Sequence, residues 1–435
     1  MSQETRTDLK TLIDNYFTAN GNKNITGPQV NEVLTNIIDS GFLQLDELRT
    51  ALSTSYDPAT PANWNATIPT EVKAALDQAI SRVATVEDSI SSNPSDNIAY
   101  VSDSGVDLEA EVGNPLNPFA SINSAINAVS TNGIVKVLGG TYTEDISINK
   151  SDITLDIQSV TVTGKIDISN FINNVVLTCY NSVFNFTGTS PTFRQNTASQ
   201  TVKIYGGTFN SFGVSSTVVC IGAKFHNSKF NQVTSSGSSS LPSLSCSTSS
   251  QFYNCTITSN GNNGVLSNCE NNKFYNCNIK SFSNVGFRQL SLNTGTPDYL
   301  YNCIIEGDVN GFFSGASANR QCSLISYNTS FTGVTGEGFK IFDDIDILLV
   351  QGGSIKGDTD CIYLSGIDRL TGTNNILNTV RLYAGSGVIF NEASYDGTDS
   401  GVFNLQNNMI NKTVTYSSKI VDNGNNTVIT GLQEF

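Results

Sequence analysis

The chain has 435 residues, enough for two to three domains or one long repetitive one; 38% are hydrophobic, 14% are charged, and the net charge is −15. So acidic a chain, with no basic stretch interleaved with aromatics, is not expected to bind nucleic acid, because phosphates need a positive surface. Its start, Met1 to Lys10, has no apolar signal core, and no run of about 18 apolar residues follows, so neither signal-peptide export nor membrane insertion is expected.

Few charges, with Gly, Asn, Ser and Thr filling the gap, suit stacked strands and tight turns better than helices. The nine cysteines are odd in number and form no CxxC pair. They read as buried free thiols made in a reducing cytoplasm rather than as a disulfide framework.

Residues 1–93 are expected to be helical. Thr26-Gly27-Pro28-Gln29 fits a capping box, and Val30, Val33, Leu34, Ile37 and Ile38 form one apolar stripe before Gly41 stops the helix. A linker with Pro58, Pro61 and Pro69 carries the single tryptophan, Trp64, as a local anchor. Val72, Leu76, Ala79, Val83, Val86 and Ile90 then step by 4, 3, 4, 3 and 4. That is a coiled-coil seam through which the chain would oligomerise, or the buried stripe of one amphipathic helix.

From about residue 98 the pattern changes. Asn or Gly recurs three residues before an apolar residue, at Asn181, Gly206, Asn227, Asn254, Asn276, Asn302, Asn328, Gly352, Thr379 and Asn407, with intervals of 21 to 28. That period is one coil of a parallel β-helix. Asn and Gly tolerate the left-handed backbone of a sharp bend, and Thr379 is the exception. Before the anchors stand Tyr180, Tyr205, His226, Tyr253, Tyr275, Tyr301 and Tyr327, rings expected to stack coil on coil. Three residues after them stand Phe184, Phe209, Phe230, Ile257, Ile279, Ile305, Phe331, Ile355, Leu382 and Ile410, one inward residue per coil. Asn254, Asn276, Asn302 and Asn328 form a structural ladder, and Cys255, Cys277 and Cys303 beside it a thiol ladder. A second column, Gly264-Val265, Gly286-Phe287, Gly311-Phe312, Gly338-Phe339, Cys361-Ile362 and Gly387-Val388, repeats in the same rhythm.

Three stretches carry family resemblances. Asn24 to Ser40 resembles the opening module of many phage virion proteins, especially those of phages of Bacteroidetes-type hosts, and Ile68 to Val83 resembles the short coiled-coil linker of phage fibres. Tyr100 to Gly105 and Asn117 to Ile122, ahead of Ile134 to Tyr142, resemble the opening of pectate-lyase-like β-helices. In that family a strand and an amphipathic helix lead into the first coil, and here Phe119, Ile122, Ile126 and Val129 would be the helix's apolar face. Together they imply a mainly β chain: a right-handed, single-stranded parallel β-helix with a small α-helical N-terminal module. The expected division is a helical virion-attachment module at 1–52, a linker and short helix at 53–97, an opening strand and capping helix at 98–133, and the β-helix at 134–435.

Chemistry is harder to find. His226, the one histidine, occupies a position that is Tyr in most coils, which makes it a structural ring. No metal site or cofactor is expected, and no nucleotide, zinc-protease or EF-hand motif is present. A glycosidase needs paired carboxylates. Aligning the second column sets Asn310, Glu337 and Asp360 on successive coils, with Asp358 beside them and Asp308 at a matching Gly-Asp step. Glu337, Asp360 and Asp358 are therefore the catalytic candidates, against the alternative of solvated turn carboxylates. Gly357 to Cys361 resembles the Asp-rich strand of polygalacturonases, but the companion motifs are missing.

The resemblance implies a bacteriophage fibre or spike, assembled in the bacterial cytoplasm and carried on the virion. It would be a homotrimer held to other virion proteins through residues 1–93 and would expose a rod that adheres to host-surface polysaccharide. A polysaccharide depolymerase, hydrolase or lyase, is the enzymatic alternative; a purely structural head or tail part is the third.

Overall fold

The computed structural model describes residues 97–435, apart from 171, 196–200, 214, 234–240, 269–270, 291–295, 316–320, 343, 368–374, 385, 387–388, 396–402, 411–419, 422–426, 431–432 and 435. All the described residues fall in one compact unit, 94–435. The capping box at Thr26, Trp64 and the seam from Val72 to Ile90 lie outside them.

The described chain winds into a parallel β-helix of three sheets. Sheet A has fourteen strands, from β1 (Ile98–Val101) to Thr427–Thr430; sheet B has twelve, from Ile146–Ile148 to Ile420–Val421; sheet C has thirteen, from Gly140–Tyr142 to Gln433–Glu434. Each coil runs A, C, B, and each strand pairs in parallel with its counterpart one coil away. Alternation drives this. In Ile153–Ile157 the first, third and fifth residues are buried and the two between are half-buried, the period-2 signature of a strand with one face in the core.

The predicted inward column holds without a slip. Phe184, Phe209, Phe230, Ile257, Ile279, Ile305, Phe331, Ile355, Leu382 and Ile410 are partners in register through sheet C, and all are fully buried. Sheet B contributes the second column, Val265, Phe287, Phe312, Phe339 and Ile362. Its next member is Phe390 rather than Val388. The corner before that strand is two residues longer than the Gly-Val pattern assumed, and Ile389 takes the place that Cys361 holds one coil earlier.

Sheets A and C meet at a corner of two residues. The first is left-handed: φ is 55° at Asn227, 53° at Asn254 and Asn276, 54° at Asn302, 51° at Asn328 and 55° at Thr379. The second turns inward and is buried: Ser228, Cys255, Cys277, Cys303, Thr329, Val380 and Asn408. The asparagine amides join coil to coil, Asn254 donating to Asn227 at 3.2 Å, Asn276 to Asn254 at 3.1 Å and Asn302 to Asn276 at 3.2 Å. Asn328 shares the backbone geometry, its N–H bonding to Gln351 O at 2.8 Å. Thr379, which lacks an amide, is held by its hydroxyl donating to Asn378 O at 2.7 Å.

Beside this corner the rings of Tyr205, His226, Tyr253, Tyr275, Tyr301 and Tyr327 stack with centroids 4.6 to 5.4 Å apart. Tyr180 is not among them. Thr178 is the partner of Tyr205, because the corner from Cys179 to Ser182 is two residues longer than those that follow.

At the N-terminal end α1 (Ile122–Ala128) buries Ile122, Ala125 and Ile126, with Phe119 and Val129 flanking them, as the opening motif implied. Ser121 caps the helix, and Glu144 accepts the N–H groups of Ile122 and Asn123 at 2.8 and 3.2 Å. Lys150 reaches the carbonyls of Asn127 and Val129 at 2.5 and 2.7 Å at the other end, where a cation suits the helix dipole.

Two outcomes are expected in solution. Asn276→Ala should unfold at lower denaturant than Asn276→Gly, by about 1 kcal/mol, since both lose the amide but only Ala strains in the left-handed region. Seven of the nine cysteines, Cys179, Cys220, Cys246, Cys255, Cys277, Cys303 and Cys361, are free and buried. A thiol reagent should therefore label at most two sites in the native chain and all nine after denaturation.

Candidate functional site

The acidic candidates sit where sheet C turns into sheet B. Phe312, Phe339 and Ile362 are partners in register, which sets Asn310, Glu337 and Asp360 on successive coils as aligned. Their peptides stack: Gly311 N donates to Glu337 O at 3.2 Å and Gly338 N to Asp360 O at 3.3 Å. The corner is so tight that a Cβ on Gly307, Gly333 or Gly357 would run into the carbonyl oxygens of Asn310, Glu337 and Asp360.

The side chains of Asn310 and Glu337 take different partners. Asn310 is buried, its Oδ1 accepting from Glu337 N at 3.1 Å. The Glu337 carboxylate leans along the coil to Lys340, 3.0 Å away. Asp358 is tied through its backbone, N–H to Gly336 O at 2.8 Å and C=O to Ser386 N at 2.7 Å; the Asp308 carbonyl accepts from Thr335 N at 2.8 Å. Among the described residues no group of three or more His, Cys, Asp or Glu gathers to hold a metal.

Lys340 opens a feature that the sequence reading missed. Outward residues of sheet B run in register from Leu266 through Arg288, Phe313 and Lys340 to Tyr363. The Arg288 guanidinium lies 5.3 Å from the Phe313 ring centre, and the Lys340 ammonium 5.5 Å from Phe342 and 5.2 Å from Tyr363. Phe342 meets Phe313 and Tyr363 edge to face, at 71° and 78°. Cations and rings thus interleave on one open face with Glu337 at its margin, an arrangement able to pack against the C–H face of a sugar and hold an anionic substituent. The only sequence signal was a ring or cation one residue past the inward Phe287, Phe312, Phe339 and Ile362.

Sheet A offers a different surface. In its ladder the rings lie face against face, 3° to 17° from parallel, so they show water their edges and polar tips. His226 is one of these rings, as expected. Burial first, then the ammonium groups of Lys224 and Lys203, hold its imidazole below the usual range.

A buried acid also went unread. Asp298 takes an inward position of sheet A opposite Leu324 and is fully buried. Its carboxyl accepts from Ser267 Oγ at 2.5 Å, Gln289 Nε2 at 3.0 Å, and Asn272 N and Nδ2 at 3.1 Å each. Burial pushes its pKa up to about 6 against these bonds. The group staples neighbouring coils together and has no access to a substrate.

The sequence matches no family model and no curated protein. Its structural neighbours are pectate-lyase-like β-helices. A pectate lyase, Pel9A, is 15% identical, covers 77% of this chain and 79% of its own, and has a TM-score of 0.41. A rhamnogalacturonan lyase is 13% identical over 77% and 87% of the two chains, with a TM-score of 0.30. A family 28 exopolygalacturonase of Yersinia enterocolitica is 10% identical over 78% of each, with a TM-score of 0.32. Likeness at this level bears on neither activity nor origin.

The raised pKa of Asp298 sets a pH dependence. Protonation favours the folded state, so the stability from this group is full below about pH 4 and lost as pH rises through about 6. Relative to the parent chain, Asp298→Asn should gain about 3 kcal/mol of unfolding free energy between acidic and neutral pH. Parallel denaturation curves at both pH values check this; an unchanged difference would remove Asp298 as the titrating group.

Proposed function

We propose that the protein is a bacteriophage fibre or spike. Residues 1–93 attach it to the virion, the seam from Val72 to Ile90 makes it a homotrimer, and the β-helix presents a stiff lateral surface that adheres to host polysaccharide. The observation that carries the adhesive reading is the sheet B face, where Arg288, Phe313, Lys340, Phe342 and Tyr363 interleave. Glycans are gripped over extended shallow surfaces by rings against C–H faces and by polar groups between them, and a solenoid supplies such a surface in repeats. Lys340 already compensates the charge of Glu337, and its rings flank it, which suits holding a polymer better than cutting it.

Cleavage is the second reading, favoured by one fact: the peptides of Glu337 and Asp360 are neighbours on consecutive coils. A coil spacing of about 4.8 Å is close to the roughly 5 Å between the carboxyls of a retaining glycosidase.

Purified protein incubated with surface polysaccharide of the phage's host separates the readings. The expected result is retention of polymer without new reducing ends, weakened about tenfold by Phe313→Ala or Tyr363→Ala, the scale of losing one aromatic anchor. New reducing ends that vanish in Glu337→Gln or Asp360→Asn would make it a depolymerase instead. Neither retention nor cleavage would leave a structural virion part. Light scattering of the full chain should give three times the monomer mass, and a monomeric mass would overturn the trimer.

A further inference from the structure

The outward residues of sheet A form two parallel columns. One is the ring ladder. The other, two residues earlier in each strand, reads Lys203, Lys224, Gln251, Lys273 and Tyr299 in register. Lys203 and Lys224 are direct partners on adjacent coils, about 4.8 Å apart by the spacing of parallel strands. Like charges set opposite one another in a sheet destabilise it. Farther along, the column is committed: Gln251 accepts from the Tyr253 hydroxyl at 2.9 Å, and Lys273 lies 5.2 Å over the Tyr299 ring.

Lys203 and Lys224 have no such commitment. Among the described residues the ion pairs are Lys165–Asp167, Arg194–Asp167, Lys280–Glu306 and Lys340–Glu337, and none reaches this pair. Both ammonium stems stand on half-buried strand positions, so their placement is fixed by the sheet. Lys229 is exposed just past the corner from His226. A protein of net charge −15 thus sets two lysines without ion pairs side by side on sheet A, with Lys229 on sheet C across the corner, beside a row of phenol tips.

We infer that this stretch of sheet A is a second binding strip, for a linear polysaccharide bearing anionic groups, lying along the β-helix axis. Lys203 and Lys224 take successive anionic substituents, and the tips of Tyr205, His226, Tyr253 and Tyr275 hydrogen-bond the sugar hydroxyls alongside. The rise from coil to coil is of the same order as the sugar repeat of an extended glycan, so one polymer meets the same chemistry at each step. Nucleic acid fits less well: single strands bind by stacking bases on open ring faces, and here the faces are taken by the neighbouring rings. The inference rests on the host-glycan reading only for the biological source of the polymer, and it uses a face that the sheet B cluster does not touch.

Dextran sulfate and uncharged dextran make a matched pair of probes, with the same glucan backbone with and without sulfate esters. Titration calorimetry on the full chain should show binding of dextran sulfate that weakens as salt is raised, and none of dextran. Lys203→Gln with Lys224→Gln should weaken it at least tenfold, the equivalent of about 1.4 kcal/mol. The charge-matched Lys165→Gln with Lys280→Gln, which removes two ion-paired lysines elsewhere, should change it less than twofold. Because the lysine pair repels itself, the first double variant should also melt no lower than the parent. Equal weakening by both double variants, equal binding of dextran, a destabilised Lys203/Lys224 variant, or tighter binding of oligodeoxythymidylate would each overturn the assignment. Loss of sulfated-polymer binding in that variant alongside intact retention of host polysaccharide would support the strip while leaving the sheet B reading standing; failure of Phe313→Ala to weaken retention would sink the latter and leave the strip standing.

Discussion

Every coil has to close so that its three strands fall beneath the three above, and from Gly206 onward a left-handed residue between sheets A and C gives the same two-residue corner at each level. A two-residue bend leaves no slack. With the first residue at positive φ, the strand that enters and the strand that leaves keep a fixed phase, and the inward column after the bend stays in line from Phe184 to Ile410. Asparagine suits the position twice over, since its backbone tolerates the conformation and its amide bonds to the coil before. The buried thiols, the ring ladder and the core stacks all take their order from that repeated corner.

Because the chain repeats, its outer faces are lattices of side chains rather than pockets. Whatever stands outward on one strand has its counterpart about 4.8 Å above and below. Function in such a molecule is a matter of which residues fill a column. Sheet C's outer column begins as a chain of amides and a hydroxyl, Asn210 donating to Asn185 and Asn231 to Asn210 at 2.9 Å each and Thr258 to Asn231 at 2.7 Å, and continues through the Lys280–Glu306 ion pair. Sheet B's holds rings crossed by cations, and sheet A's holds lysines beside a closed ring stack.

The core was legible in the sequence because its signals recur: an Asn, an aromatic before it and an apolar residue after it, coil after coil. Legibility failed wherever a corner changed length. Two extra residues at Cys179–Ser182 displaced Tyr180 from the ladder, and a corner before Phe390 one residue longer than that of the coil before it moved that column off Val388. Asp298 escaped notice because an acid at an inward position contradicts the apolar pattern, and only the donors of Ser267, Asn272 and Gln289, which come from other coils, make it tolerable. The candidate site was half legible. The alignment of Glu337 with Asp360 followed from the column beside them, whereas the partnership of Glu337 with Lys340, and of Lys340 with rings on its own and the next coil, depends on side-chain directions that no spacing rule supplies.

The long corner at Cys179–Ser182 also bears on how such a molecule can change. Its surplus residues are absorbed on the spot: Val183 still finds Thr208, and Phe184 still finds Phe209, as if nothing had been added. Length in a corner is therefore a local variable, uncoupled from the register of the strands on either side. Single coils could thus be lengthened, shortened or given other outward residues, one at a time, without disturbing the core columns between them.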